Sequence, residues 1–254
     1  MANQNKQKNV SCRGCKSGDK EELAFTMAFQ PLVDVNAHKV YGYEALVRGT
    51  QGQGAHTVLS RVTEGNVYRF DRSCRNRAVE MATQLHCSTQ LNINLMPGAI
   101  IEPETCIRST VLAAERFGFP INKITFELVE TEALADAKHL IDIVRCYRSL
   151  GFKIALDDFG NGYSNLLLLT QIQPDYLKLD RFLIHDIHLS KRRQIIVKQI
   201  ASLAADLGIE LVAEGVEQIE ERDYLAAVGV YLHQGYYYAR PQVSTLPPVL
   251  EWAM

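Results

Sequence analysis

The sequence predicts an α/β protein, a TIM-type (β/α)₈ barrel modified by one antiparallel strand. Three observations lead to this fold class: eight short β-rich segments follow one another, helical patterns separate most of them, and only a short turn joins the first two. Eight strands with intervening helices in about 230 residues fit a closed barrel better than an open, doubly wound sheet. The full length of 254 residues is enough to bury such a core, or the cores of two small domains.

The β-rich segments lie near residues 25–30, 39–47, 90–95, 124–128, 153–157, 176–180, 209–213 and 230–236. The turn at Asn36-Ala37-His38 predicts a hairpin and therefore an antiparallel start. Helical patterns cover 67–85, 134–150 and 194–207. In the second, an apolar stripe at helical spacing is formed by Leu140, Ile141, Val144, Tyr147 and Arg148. Gly208 follows the third, where a left-handed cap suits glycine.

Composition and charge exclude several classes of protein. Lys and Arg total 27 and Asp and Glu total 29, so the net charge of −2 argues against a polybasic protein that binds DNA or RNA. No apolar run approaches the roughly 18–20 residues that cross a bilayer, so no membrane insertion is expected. Residues 1–20 are polar and lack the apolar core of a signal peptide. We therefore expect a cytoplasmic globular protein.

The chain is predicted to have a flexible tail, residues 1–22, followed by a single domain over residues 23–254 that carries the candidate catalytic residues. The tail holds a lone Cys-x-x-Cys, Cys12 and Cys15. A zinc site needs two more ligands, and no second pair has suitable spacing, so a metal or redox role competes with a plain flexible tail. Four other cysteines are expected to be buried, reduced thiols: Cys74, Cys87, Cys106 and Cys146.

Polar side chains close one predicted strand after another. They are Glu44, Asn94, Glu127, Asp157, Asp158, Lys178, Glu214 and Gln234. An acid at a strand end is ordinarily a helix cap or a turn residue. So many at the ends of the strands of one barrel instead indicate a shared site, because barrel enzymes place their chemistry there.

Unpaired carboxylates packed together repel one another, and hard divalent cations would relieve that repulsion. Oxygen ligands without His or Cys favour Mg²⁺ or Mn²⁺ over zinc. Asp157 and Asp158 are adjacent, so both reach one site only if the strand ends there, and Phe159-Gly160-Asn161-Gly162 is expected to end it. One carboxylate could then bridge two ions, the usual device for displacement at phosphorus.

The run Glu44-Ala45-Leu46-Val47-Arg48 resembles the signature of the EAL-domain cyclic di-GMP phosphodiesterases. The resemblance covers residues 24–245. It continues through 92–97 (NINLMP), 127–131 (ELVET), 157–164 (DDFGNGYS), 178–181 (KLDR), 213–217 (AEGVE), 234–236 (QGY) and 240–241 (RP). It implies a barrel with one antiparallel strand. It also implies hydrolysis of one phosphodiester of cyclic di-GMP, a bacterial second messenger, to linear pGpG with two divalent ions, Mg²⁺ or Mn²⁺.

Carried over position by position, the resemblance assigns the first metal to Glu44, Asn94, Glu127 and Asp157. Asp157 would bridge to a second metal completed by Asp158 and Glu214. Lys178 would orient or polarise the attacking water with help from Gln234, although in an acidic cluster it could serve simply as a counter-ion. Glu217 resembles an auxiliary acid supporting the cluster. Glu130 and the 159–165 loop resemble the element that couples dimer contacts to metal binding.

Three residues are expected to hold the substrate. Leu46 and Arg48 line it, with Arg48 on a phosphate, and Asp71 resembles the position that reads a guanine edge. Val129, Asn161 and Asn165 depart from the family pattern without removing a ligand. A homodimer is expected from the resemblance. The competing hypothesis is a catalytically weak cyclic di-GMP receptor or a protein-interaction module, against which the complete ligand set argues.

Overall fold

A computed structural model describes residues 23–129, 137–161 and 166–249. Its core is a closed barrel of eight strands: β1 Thr26–Asp34, β2 Lys39–Arg48, β3 Gln90–Leu95, β4 Ile124–Val129, β5 Lys153–Phe159, β6 Tyr176–Leu179, β7 Glu210–Ala213 and β8 Leu232–His233. Strands β2 to β8 are parallel neighbours in chain order. The predicted barrel is confirmed.

Strand β1 closes the barrel by running antiparallel to both β2 and β8. Gln30 lies opposite Glu44 on β2, and Val33 lies opposite His233 on β8. The predicted hairpin is therefore present. A two-residue strand that the sequence did not predict, β9 Gln242–Val243, adds to β1 beside β8.

The described helices are α1 Ala55–Leu59, α2 Val67–Gln84, α3 Pro103–Phe117, α4 Ala137–Ser149, α5 Leu166–Ile172, α6 Arg181–Ile184, α7 Lys191–Leu207 and α8 Ile219–Ala227. Short 3₁₀ turns lie at Pro97–Ala99, Ile121–Lys123 and Ile187–Leu189. Gly208 caps α7 in the left-handed conformation, as predicted. On α4 the buried face is completed by Ile143, whereas Arg148 is exposed, so its place in the predicted stripe was wrong.

Side chains alternate between the inside and the outside of the barrel along each strand, and those that face inward form two layers. An apolar floor consists of Leu32, Ala155, Tyr176, Val212 and Leu232. Because side chains two residues apart share a face of a strand, the residues two positions from this floor point into the next layer. Those residues are Gln30, Asp157, Lys178, Glu214 and Gln234. The fold thus sets a polar layer directly on a packed apolar one.

The outward faces of the strands pack under the helices. Phe126 of β4, for example, lies 5.2 Å from Tyr147 and 5.1 Å from Phe152, ring centre to ring centre. Of the four cysteines expected to be buried, only Cys106 is; Cys74, Cys87 and Cys146 are half-buried free thiols. Among the described residues, no helix has both the length and the apolar character required to span a membrane.

Candidate active site

Lys178 occupies the centre of the polar layer. Its side chain is 1% exposed, and its Nζ lies 2.7 Å from Glu214 Oε1, 2.9 Å from Glu127 Oε1 and 3.1 Å from Asp157 Oδ1. Glu44 Oε2 is farther, at 3.7 Å. Burial would lower the pKa of the lysine, but the surrounding carboxylates outweigh burial and raise its pKa well above the ordinary value. The ammonium is therefore charged and is the common counter-ion of four acids.

Glu44 is held by two amides from opposite sides. Asn94 Nδ2 donates to Oε1 at 2.9 Å, and Gln234 Nε2 donates to Oε2 at 2.7 Å. Burial acts to raise the pKa of Glu44, but Lys178 and these hydrogen bonds prevail and lower it. The prediction that Glu44 ends its strand was wrong: β2 continues to Arg48, because β1 pairs with it along that whole length.

Glu127 is completely buried on β4. Its Oε1 accepts a hydrogen bond from Asn92 Nδ2 at 2.7 Å, while Oε2 has no hydrogen-bond donor among the described residues. Burial and then the charge of Glu44 raise its pKa well above the ordinary value. Burial likewise raises the pKa of Glu214 well above its ordinary value. At both residues burial and the neighbouring carboxylates together disfavour the charged form more than Lys178 favours it.

Asp157 and Asp158 reach the same site through a β-bulge. The register between β5 and β6 shifts between Leu156 and Phe159, and Asp158 adopts a left-handed backbone with φ +58°. The prediction that the strand ends at this pair was therefore wrong, because the strand continues to Phe159. Carboxylate oxygens of Asp157, Asp158 and Glu214 lie within 4.8 Å of one another. Burial, with the charges of the neighbouring acids, raises the pKa of Asp158 to about 6.

A cleft of about 330 Å³ opens beside this cluster. Its lining includes Glu44, Leu46, Arg48, Asp71 and Asn94. The predicted substrate residues and two predicted metal ligands thus share one cavity. Arg48 is half-buried, with Nη1 on the Val47 carbonyl at 2.7 Å. Asp71 is only 2% exposed and already accepts hydrogen bonds on both oxygens.

One predicted site residue, Glu217, stands apart from the cluster, and another lies outside the described residues. Glu217 is exposed and pairs with Arg181 Nη2 at 3.1 Å, so its supporting role stays a prediction. Glu130 lies outside the described residues, as do Cys12, Cys15 and positions 162–165 of the loop.

Sequence reasoning missed three side chains that hold the site. Asn92 supports Glu127, and Gln30 accepts from Gln234 Nε2 at 3.2 Å. Asp180 accepts a hydrogen bond from Asn161 Nδ2 at 3.4 Å. Asn161, which departs from the family pattern, therefore has a structural partner. The available signal was period-two spacing: Asn92 lies two residues before Asn94, and Gln30 lies two before an inward-facing leucine.

The donor set fits divalent cations. Every nearby acceptor is a carboxylate or amide oxygen, the ligand type that Mg²⁺ and Mn²⁺ prefer. The buried Glu127 Oε2 lacks a donor among the described residues, and the pKa values of Glu127, Glu214 and Asp158 are all raised. Such a cluster would therefore bind a cation.

Comparisons with known proteins identify the family of this chain. A sequence model of the EAL domain matches residues 19–241. The cyclic di-GMP phosphodiesterase PdeB of Shewanella oneidensis is 34% identical over 159 residues, covering 63% of this chain and 18% of that protein. The cyclic di-GMP phosphodiesterase PA2567 of Pseudomonas aeruginosa is 28% identical over 242 residues, 91% of this chain and 40% of that one. The blue light- and temperature-regulated antirepressor BluF of Escherichia coli is 26% identical over 223 residues, covering 87% and 55%. The chain thus spans about half, or less, of the length of these curated relatives.

Solved structures resemble the whole barrel. A standalone versatile EAL protein from Vibrio cholerae O395, crystallised with c-di-GMP bound, has a TM-score of 0.89 and 47% identity over 92% of this chain and 100% of that one. Klebsiella pneumoniae BlrP1, in a manganese/cy-diGMP complex at pH 9.0, has a TM-score of 0.81 and 35% identity, covering 89% of this chain and 58% of that one.

Proposed function

The chain belongs to the EAL domain family across residues 19–241, and from this premise we propose that it hydrolyses one phosphodiester bond of cyclic di-GMP to linear pGpG, with Mg²⁺ or Mn²⁺. The observation that carries the proposal is the cluster of carboxylates around Lys178, one of which, Glu44, also lines a cleft together with Leu46 and Arg48. Two of the curated relatives compared above are named for this activity.

Two groups of residues would hold the ions. Glu44, Asn94, Glu127 and Asp157 would hold one, and Asp157, Asp158 and Glu214 the other. The chemistry that a pair of divalent ions supplies, when bound, is activation of water near neutral pH and neutralisation of charge at the transferring phosphoryl group. Asn94 is exposed and donates to Glu44 through Nδ2, and no described residue is seen to donate to its oxygen, which is therefore available for this role.

Lys178 has two tasks in this proposal. It neutralises the buried acids, and its fixed charge stands where negative charge develops on the phosphoryl oxygens. Gln234 donates to Glu44 through Nε2, while its Oε1 has no partner among the described residues. That oxygen is therefore free to accept a hydrogen from the attacking water. Glu217 would support the cluster from its rim, beside Arg181.

The cleft would bind the nucleotide. Arg48 would reach a substrate phosphate through its forked donors, Leu46 would pack against the substrate, and Asp71 would accept hydrogen bonds from a guanine edge. We also propose a cytoplasmic homodimer, in which Glu130 anchors the loop after Asp158. Light scattering of the purified chain tests the dimer, and a monomer would contradict it.

A receptor or protein-interaction role is the second candidate, and one relative favours it. BluF, 26% identical, is named as an antirepressor. The two candidates differ in turnover, since a receptor would bind cyclic di-GMP without releasing product.

The deciding experiment is chromatography of cyclic di-GMP incubated with the full chain and Mg²⁺ or Mn²⁺, with and without a chelator. We expect pGpG, lost with chelator and in Asp157→Asn, while Asp142→Asn on the exposed face of α4 serves as the matched control. Binding without pGpG would overturn the proposal in favour of a receptor.

Lys178→Ala should lower kcat far more than affinity. An equal loss of both would leave Lys178 only its counter-ion role.

A further inference from the structure

A buried arginine lies behind the cleft wall. Arg75 on α2 is 1% exposed, and its Nε donates to Asp71 Oδ2 at 2.9 Å. Its Nη1 donates to Thr110 Oγ1 at 2.6 Å and to the Cys106 carbonyl at 3.3 Å. One guanidinium therefore ties α2, which carries Asp71, to α3.

Asp71 connects this arginine to the cleft. It lines the cavity beside Asn94 and Met96, and its Oδ1 accepts the Met96 amide at 3.1 Å. Each carboxylate oxygen has two lone pairs. Within the described part of the chain, Oδ2 accepts only from Arg75 and Oδ1 only from the Met96 amide, so each oxygen retains one acceptor position.

Stability alone gives little reason for such an arrangement, because a buried ion pair is often no more stable than apolar side chains of the same volume. What the guanidinium adds is orientation: its Nε holds Asp71 Oδ2 while the Met96 amide holds Oδ1, so the carboxylate is fixed at both oxygens. Thr110 and Cys106 hold Nη1 of the guanidinium from the far side, so Asp71 cannot turn without breaking its hydrogen bonds to Arg75 and to the Met96 amide.

We propose that Arg75 is a positioning residue for base recognition, which fixes the Asp71 carboxylate so that its free lone pairs accept the adjacent N–H groups of a guanine edge. This inference rests on the proposed function. Arg75 itself lies outside the metal cluster and would not touch the reacting phosphate.

The test compares cyclic di-GMP with its inosine analogue, cyclic di-IMP, which lacks the 2-amino donor. Arg75→Met is compared with Arg75→Lys and with Arg77→Met, which removes a half-buried ion pair with Glu80 on the same helix. Steady-state kcat and KM are measured on the full chain with Mn²⁺, and melting temperatures establish that each variant folds.

We expect wild type to prefer the guanine compound by about tenfold in kcat/KM, the order of one well-placed hydrogen bond. Arg75→Met should raise KM for cyclic di-GMP about tenfold, keep kcat within about threefold and lose most of that preference. Arg75→Lys should recover part of it, and Arg77→Met should match wild type. A purely structural role would lower activity on both compounds alike and leave their ratio unchanged.

If Arg75→Met does not fold, Thr110→Val removes one anchor of the guanidinium and should raise KM by about threefold with a smaller preference. Folded variants with wild-type KM and preference would overturn the inference alone. A wild-type chain that neither hydrolyses nor binds cyclic di-GMP would overturn the proposed function, and this inference with it.

Discussion

Glu127 has no exposed surface, yet its Oε2 has no donor in the described part of the chain and its pKa is raised well above the ordinary value. A carboxylate in that state is retained at a cost to the folded protein. Gln has the same shape without the charge and keeps an oxygen for Asn92 and Lys178. We therefore expect a substitution at this position to reduce hydrolysis without reducing the stability of the fold.

For Glu127→Gln we expect hydrolysis to fall by more than about 100-fold, beyond the usual cost of disturbing a residue that merely supports a metal ligand. The melting temperature in chelator should stay the same or rise. Turnover and thermal unfolding measured on the same preparation check this. Near-wild-type turnover would remove Glu127 from the ion-binding set.

His233 is a second buried titratable residue, on the outward face of β8. Its Nδ1 contacts Tyr238 Oη at 2.7 Å and its Nε2 contacts the Val230 carbonyl at 3.0 Å. Burial lowers its pKa to about 4. Because the unfolded chain binds this proton more readily, the stability contribution is complete above about pH 6.5 and declines as pH falls toward 4.

The full contribution is about 3 kcal/mol, of which about 1 kcal/mol should be lost between pH 7.5 and 5.5. Between these pH values, we expect the unfolding free energy of the wild type, measured in urea, to fall by about 1 kcal/mol more than that of His233→Gln. Both proteins are measured in chelator. Identical pH dependence in the two proteins would contradict a buried neutral histidine.

At the scale of elements, the ends of β7 and β8 are locked together by a glycine. A Cβ on Gly235 would lie 2.0 Å from the Val216 carbonyl oxygen, so no other residue fits without moving the backbone. The Val216 amide donates to the Gln234 carbonyl at 3.1 Å. The same contact therefore places Gln234 and the turn after Glu214.

Gly235→Ala should cost about 1–3 kcal/mol of unfolding free energy, the usual penalty of overpacking. It should also reduce turnover more than tenfold, since about 1 Å of misplacement in a site costs that much or more. Gly98→Ala is the matched control, because a Cβ there meets nothing within 4 Å. Equal activity in the two variants would show that the Gly235 contact does not position Gln234.

At the scale of the whole molecule, closure depends on β1, which begins at Thr26 and pairs on both sides. Without it, β2 and β8 would present open edges, which proteins avoid. Removal of residues 1–20 should leave turnover within about twofold, because the barrel strands all follow that segment. Removal of residues 1–34 should prevent folding.

Turnover assays and circular dichroism of the two truncated proteins test this. Loss of turnover in the shorter truncation, with a folded barrel, would instead assign a regulatory role to the tail that carries Cys12 and Cys15.

The sequence by itself determined the fold class and most of the polar layer. Eight β-rich segments, helices between them and a short first turn are local patterns, and alternation along a strand decides which face a residue such as Lys178 occupies. The EAL-like motifs then indicated which of those residues act together.

Only the tertiary structure decided which of them touch. Gln234 reaches Glu44 across 190 positions of sequence, a contact that barrel closure and strand stagger create. The bulge that turns Asp158 inward, the pairing of Glu217 with Arg181, and the clamp of Arg75 on Asp71 likewise depend on how neighbouring elements pack. Sequence spacing determines the face of an element, but distances between side chains on different elements are set by packing.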